Sequence, residues 1–300
     1  IRSFVTLFYD ISIGIVADTV LLLLYVLIIL LEHRPKPIDL TITHLFFTNI
    51  IMLVTTCLTA LDIFGYQDVG NDITCKYVIY LHRLMRGLSI STTCLLSVLQ
   101  AITLSPRSSC LAKFKQKSLQ WNLCCFLFLW VFNMLISGHF LISTIATPNV
   151  TSHNLMFVTQ SCSLWPISYL LKYITFSLMT FQEISVIGLM GLSSGYMVIL
   201  LHRHKRQSQH LHSTKLSPKA SPEQRATQTI LFLVSVFIII YALDCVITST
   251  SGVFWKHNHI HHRVQMLAGN GYATVSPLVI MLFLLNIFTL IYMAEKYIII

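Results

Sequence analysis

Residues 118–171, SLQWNLCCFLFLWVFNMLISGHFLISTIATPNVTSHNLMFVTQSCSLWPISYLL, contain no Asp, Glu, Lys or Arg. A helix crossing the hydrocarbon core of a bilayer needs about 20 mostly apolar residues. The run is more than twice that length, so it is expected to hold two spans. They part where Pro148-Asn149-Val150-Thr151-Ser152 reads as a polar turn, which puts the fourth span at 119–144 and the fifth at 166–201.

Similar stretches lie on both sides. Towards the N-terminus, 7–31 is broken only by Asp10 and Asp18, 40–64 is apolar nearly throughout, and 76–105 opens with charges and then turns uncharged from Gly87. Towards the C-terminus, 226–250 carries Asp244 near its far end, and 264–292 has no charge. The chain is 55% hydrophobic and 10% charged, with a mean hydropathy of +0.73. Soluble domains carry about a quarter charged residues, so disorder is excluded and a soluble globule disfavoured. Near-continuous apolarity rather than alternation argues against a β-barrel. The expected fold is an all-α membrane protein, one seven-transmembrane helix bundle over 1–300.

Net charge is +9, a value that also suits nucleic-acid binding, so the placement of the cations decides. With the N-terminus outside, thirteen Lys and Arg fall in cytoplasmic connections and the tail, and five fall outside. The positive-inside rule therefore supports N-out, C-in. The basic excess faces anionic lipid and whatever docks there, and no soluble basic domain remains to hold nucleic acid. No secretory signal peptide is visible, so the first span is expected to act as its own signal-anchor. The chain opens on Ile1 rather than Met, as expected of one short at its N-terminus.

Of eight cysteines, six fall in spans or the cytoplasmic loop, where thiols stay reduced. Cys75, at the outer end of the third span, and Cys162, in the fourth-to-fifth connection, are the plausible outside pair; two free thiols are the alternative. Asn149-Val150-Thr151 is the sole N-glycosylation sequon and lies in that same connection.

Several strings are more specific than the span count. His82-Arg83-x-x-Arg86-Gly87-x-Ser89, continuing to Cys94-Leu95-Leu96-Ser97-Val98-x-Gln100-Ala101-Ile102-Thr103-x-Ser105-Pro106, resembles the third helix of vomeronasal type 1 receptors. His202-Arg203-His204-Lys205 through Leu216-Ser217-Pro218, Ser221-Pro222-Glu223 and Arg225-Ala226-Thr227-Gln228 is similar to that family's third cytoplasmic loop. Thr274-Val275-Ser276-Pro277 matches its seventh helix, and His44-Leu45 with Asn49 its second. Other G-protein-coupled receptors end the third helix in Asp-Arg-Tyr; here Leu99-Gln100-Ala101 stand instead. Asp18 and Ala273 stand where the family usually carries Asn and often Pro. The resemblance implies a plasma-membrane, multi-pass pheromone receptor taking a small volatile or steroid-like ligand and signalling through an inhibitory-type heterotrimeric G protein.

Charges within a span are functional candidates by default. His82, Arg83 and Arg86 sit roughly 10 to 16 Å below the outer end of the third helix at about 1.5 Å per residue. Glu183, with Asp244 in reach, is the expected intramembrane partner. One reading is a polar floor orienting a ligand's carbonyl, sulfate or carboxylate; the other is an ion pair locking the third helix to the fifth. Tyr80, Tyr241 and Tyr272 are candidates for the pocket wall, with plain packing as the alternative. Asp18, Asn49 and Ser276 are expected to form a polar cluster that acts as the activation switch, with Pro277 permitting a bend. Lys113, Lys115, Lys117, Arg203, Lys205 and Arg206 are expected to dock the G protein, or to attract lipid headgroups at about 1 kcal/mol per cation.

Thirteen histidines raise the alternative of a metalloenzyme. His257, His259, His261 and His262 form one cluster and His202, His204, His210 and His212 another, but a single span puts them on opposite membrane faces. No metal, cofactor or catalytic residue is therefore expected. A bitter-taste-type chemosensory receptor is the nearest alternative, and a transporter or channel, for which no internal repeat is visible, a more distant one.

Overall fold

A computed structural model describes residues 2–31, 36–63, 72–105, 118–146, 156–157, 162–164, 169–211, 232, 235–236, 238–243, 269–278 and 280–281. In hydrocarbon every backbone polar group must be satisfied within its own segment, and long apolar stretches accordingly become helices. They are α1 (Arg2–Leu31), α2 (Pro37–Ile63), α3 (Asp72–Leu104), α4 (Ser118–Ser137), the short α5 (His139–Ser143) and α6 (Tyr169–Leu211). Pro37 opens α2, at the first-turn position where a missing N–H costs nothing. Pro106 follows the end of α3, as proline disfavours helical geometry in the residue before it.

Five helices among the described residues are long and apolar enough to cross a membrane: Val5–Leu31, Pro37–Asp62, Asp72–Thr103, Gln120–Ser143 and Ser177–Leu200. They correspond to the first five expected spans. Within the sixth and seventh, residues 238–243 and 269–278 are helical. The fourth span is interrupted at Gly138, where α4 gives way to α5; the Gly138 N–H still donates to the Met134 carbonyl at 2.8 Å. The helix of the fifth span does not stop at 201 but runs on to Leu211, carrying Arg203, Lys205 and Arg206 beyond the apolar segment.

Residues 148–152, expected as a polar turn, lie outside the described residues; on either side of them the connection has three short strands among the described residues, β1 (Thr144–Ala146), β2 (Met156–Phe157) and β3 (Cys162–Leu164). They form one antiparallel sheet of order β1-β3-β2, with Ala146 opposite Cys162. Cys162 is bonded to Cys75 near the start of α3, their Cα atoms 5.7 Å apart. The bridge packs in a buried cluster with Ile79 and Phe140, so the sheet is fastened over the N-terminal end of α3.

α3 is the axis of the bundle. In its most apolar window 83% of residues are buried, against 22% in α1, α4 and α6, whose outward faces carry exposed Leu, Ile, Val and Phe. Polar side chains tie the other helices to it. Trp130 Nε1 on α4 donates to His44 Nε2 on α2 at 3.0 Å, and His44 Nδ1 lies 3.0 Å from Thr92 Oγ1 on α3. An indole nitrogen only donates, so Nε2 must accept and Nδ1 carries the proton towards Thr92. One neutral imidazole thus joins three helices. Ser97 with Ser193 (2.6 Å) and Ser105 with Tyr196 (2.9 Å) join α3 to α6 in the same way.

Candidate functional site

Arg83, Arg86, Gly87 and Ile90 recur at helical spacing and make one stripe of α3. That stripe borders a small, partly open cleft with about 30 Å³ of free volume. α4 contributes Asn133, Ile136 and Ser137, and α6 contributes Met179, Gln182, Glu183 and Val186. The cleft begins where the disulfide cluster ends, because Met179 packs against both.

Both guanidinium groups rest on aromatic rings. Arg83 Cζ lies 5.3 Å from the centroid of Phe140 and Arg86 Cζ lies 5.6 Å from that of Tyr241. Such stacking favours the cation. Tyr241 has both Arg86 and Glu183 as electrostatic neighbours, so these three expected site residues share one place. Among the described residues the cleft holds two arginines and one glutamate.

Ile90 continues from the cleft into a deeper cluster of Leu45, Cys94, Met190, Tyr241 and Tyr272. Tyr272 is therefore beneath the cleft rather than in its wall, with its hydroxyl 3.0 Å from Thr93 Oγ1. Tyr80 packs instead against the apolar cluster around Met52, Leu84 and Leu88. The structure does not bring His82 into the cleft. Its Nδ1 faces Thr55 and Thr56 on α2, at 3.4 Å from each hydroxyl, and Thr56 donates onward to Asn270 Oδ1 at 2.9 Å. Spacing alone puts His82 and Arg86 on a common face, but the cleft centres on the 83–87–90 stripe, and His82 falls at its edge among the α2 hydroxyls.

The expected cluster of Asp18, Asn49 and Ser276 assembles. Asn49 Nδ2 donates to Ser276 Oγ at 3.4 Å, and Ser89 Oγ donates to Asn49 Oδ1 at 2.6 Å. Asp18 is fully buried beside Asn49, and neither carboxylate oxygen reaches a well-formed hydrogen bond among the described residues. Pro277 is buried within the helical segment 269–278. Arg203 is exposed on α6. Asp244, Asn149, Lys113, Lys115 and Lys117 lie outside the described residues, as do the side chains of Lys205 and Arg206.

Of the cleft residues, only Arg83, Arg86 and Glu183 were expected from the sequence; among those missed are Gly87 and the amides Asn133 and Gln182. For Asn133 the available signal was a carboxamide inside an uncharged span, since an amide in lipid needs a partner; Gln182 stands beside Glu183 and carried no such signal. Charge drew attention first, and Asn and Gln carry none.

The profile described as "Vomeronasal organ pheromone receptor family" matches residues 1–293. The chain is 51% identical over 273 residues to vomeronasal type-1 receptor 90 of Rattus norvegicus, covering 91% of this chain and 88% of that one. It is 52% identical over 275 residues to vomeronasal type-1 receptor 53 of Mus musculus, covering 92% and 88%, and 49% identical over the same length to receptor 50 of that species.

Proposed function

Because the chain belongs to the vomeronasal type-1 receptor family, pheromone receptors of the G-protein-coupled class, we propose that the cleft between α3, α4 and α6 takes its ligand. The observation that carries this is the placement of Arg83, Arg86 and Glu183 around one open cleft below a disulfide-fastened sheet. Charged groups at that depth are costly without function or partners.

In this reading Arg83 and Arg86 receive an acidic or carbonyl group, and Glu183 orients Arg86. The apolar side chains of Ile90, Ile136, Met179 and Val186 receive the body of a small volatile or steroid-like molecule. Asp244 joins Glu183 from the sixth span. Tyr241 passes displacement of Arg86 to Tyr272 through the apolar cluster they share. His82 holds α3 to α2 and shapes the cleft from behind. Asp18, Asn49 and Ser276 form the two-state element, with Pro277 as hinge. A ligand shifts that element by no more than its difference in affinity for the two states.

The receptor has seven spans, with N-terminus outside and C-terminus inside the plasma membrane, and Asn149 bears glycan on the outer side. Lys113, Lys115 and Lys117, with Arg203, Lys205 and Arg206 on the extension of α6, dock an inhibitory-type heterotrimeric G protein. No catalytic step and no metal enters. Family membership removes the bitter-taste-type and transporter readings.

The test is G-protein activation in cells expressing the receptor, against a panel of small volatile and steroid ligands, with surface expression measured in parallel. Arg86→Gln is expected to weaken agonist potency at least tenfold while surface expression stays near normal. Loss of expression with unchanged potency in the surviving receptors would favour the interhelical lock instead.

A further inference from the structure

Asn133 is 2% exposed and stands alone as a carboxamide in the apolar second half of α4. Its Nδ2 donates to the Leu129 backbone carbonyl at 2.8 Å. A carbonyl only accepts, so that contact fixes which end of the Asn133 amide is nitrogen. Oδ1 then points away and accepts from Gln182 Nε2 on α6 at 2.8 Å. α3 leaves room for this at Gly87, where any Cβ would overlap Asn133 Oδ1. The orientation is transmitted in one direction: the α4 backbone sets Asn133, and Asn133 sets Gln182. Gln182 commits one N–H of its amide to Asn133, which fixes Nε2 on that side and leaves its carbonyl Oε1 as the acceptor Gln182 can offer to the cleft it lines.

Arg83 and Arg86 offer only donors to the same space, and Glu183 is their counter-charge. We propose that Gln182 is a specificity-determining residue: held by Asn133, it presents a hydrogen-bond acceptor, and the preferred ligands pair an acidic group for the arginines with a hydroxyl for Gln182. A ligand with the acid and no donor leaves that carbonyl unpaired when it displaces water, and a site built to bond a hydroxyl discriminates strongly against analogues lacking one. The inference rests on the cleft being the ligand site.

Matched probes test it: medium-chain fatty acids hydroxylated at carbon 2, 3 or 4, each beside its methyl ether, which retains shape and removes the donor. In the full-length receptor at least one hydroxy acid is expected to activate G protein about tenfold more potently than its ether. Gln182→Met should bring that ratio close to one, and Asn133→Ala, which releases Gln182, should lower it part of the way. Equal potency of acid and ether in the unaltered receptor, a ratio unmoved by Gln182→Met, or silence towards all the hydroxy acids would each overturn the assignment. Failure of the underlying reading looks different: agonists from the broad panel would keep their potency in Arg86→Gln.

Discussion

At the scale of single residues, polar groups inside the bundle divide into those that are satisfied and a few that are not. Asn49 donates to Ser276 and accepts from Ser89, and His44 uses both ring nitrogens. Asp18 is the carboxylate on the other side of that division, fully buried and with neither oxygen in a well-formed hydrogen bond among the described residues. Replacing such a group by one that can donate relieves a penalty of about 1–3 kcal/mol. Asp18→Asn is therefore expected to raise the thermal unfolding temperature of the detergent-solubilised receptor by a few degrees. A lower temperature would mean that the carboxylate itself is a structural requirement. Charged residues were the part of the site most legible from sequence, because Arg83, Arg86 and Glu183 are conspicuous in apolar runs. Asn133 and Gln182 were not, since an uncharged amide reveals its importance only through the partner it meets across 49 positions of chain.

At the scale of elements, α3 decides the architecture. Its stripe of Arg83, Arg86, Gly87 and Ile90 faces the cleft, while Ser89 and Thr93 face the Asn49 and Tyr272 hydrogen bonds. At Gly87 the Asn133 side chain of α4 abuts α3, and the glycine's lack of a side chain is what admits it. Gly87→Ala is expected to destabilise the receptor by about 1–3 kcal/mol, because Asn133 must leave its bond to Gln182. In an Asn133→Ala background the same change should be neutral or stabilising, since alanine favours a helix over glycine by roughly 1 kcal/mol. Equal losses in both backgrounds, measured by thermal unfolding, would deny the contact. The five apolar helices among the described residues were readable from apolar length, although α6 runs ten residues past its expected end at 201. The break at Gly138 and the strands β1–β3 were not, because a two- or three-residue strand carries no periodicity of its own. Its partners and the Cys75–Cys162 bridge define it.

At the scale of the whole molecule, few charges are left to place, and each has a job set by depth. Among the described residues, Arg203 is exposed beyond the apolar part of α6, whereas Arg83 and Arg86 line the cleft. Five apolar helices, the basic excess and the pairing of Cys75 with Cys162 were legible in the chain. The direction in which His82 turns was not, because helical spacing fixes an angle and only the neighbouring α2 hydroxyls fix which side of it is used. Packing between helices is thus what converts a set of intramembrane charges into a site. The account stands or falls on the cleft beside Met179 being open from outside and filled by agonist. A cysteine placed there, Met179→Cys, can be challenged in intact cells with a membrane-impermeant thiol reagent, with the unaltered receptor as background. Labelling above background without agonist, and at least several-fold protection by saturating agonist, is the predicted result. Labelling that agonist leaves unchanged would contradict the claim that this cleft is where the receptor reads its signal.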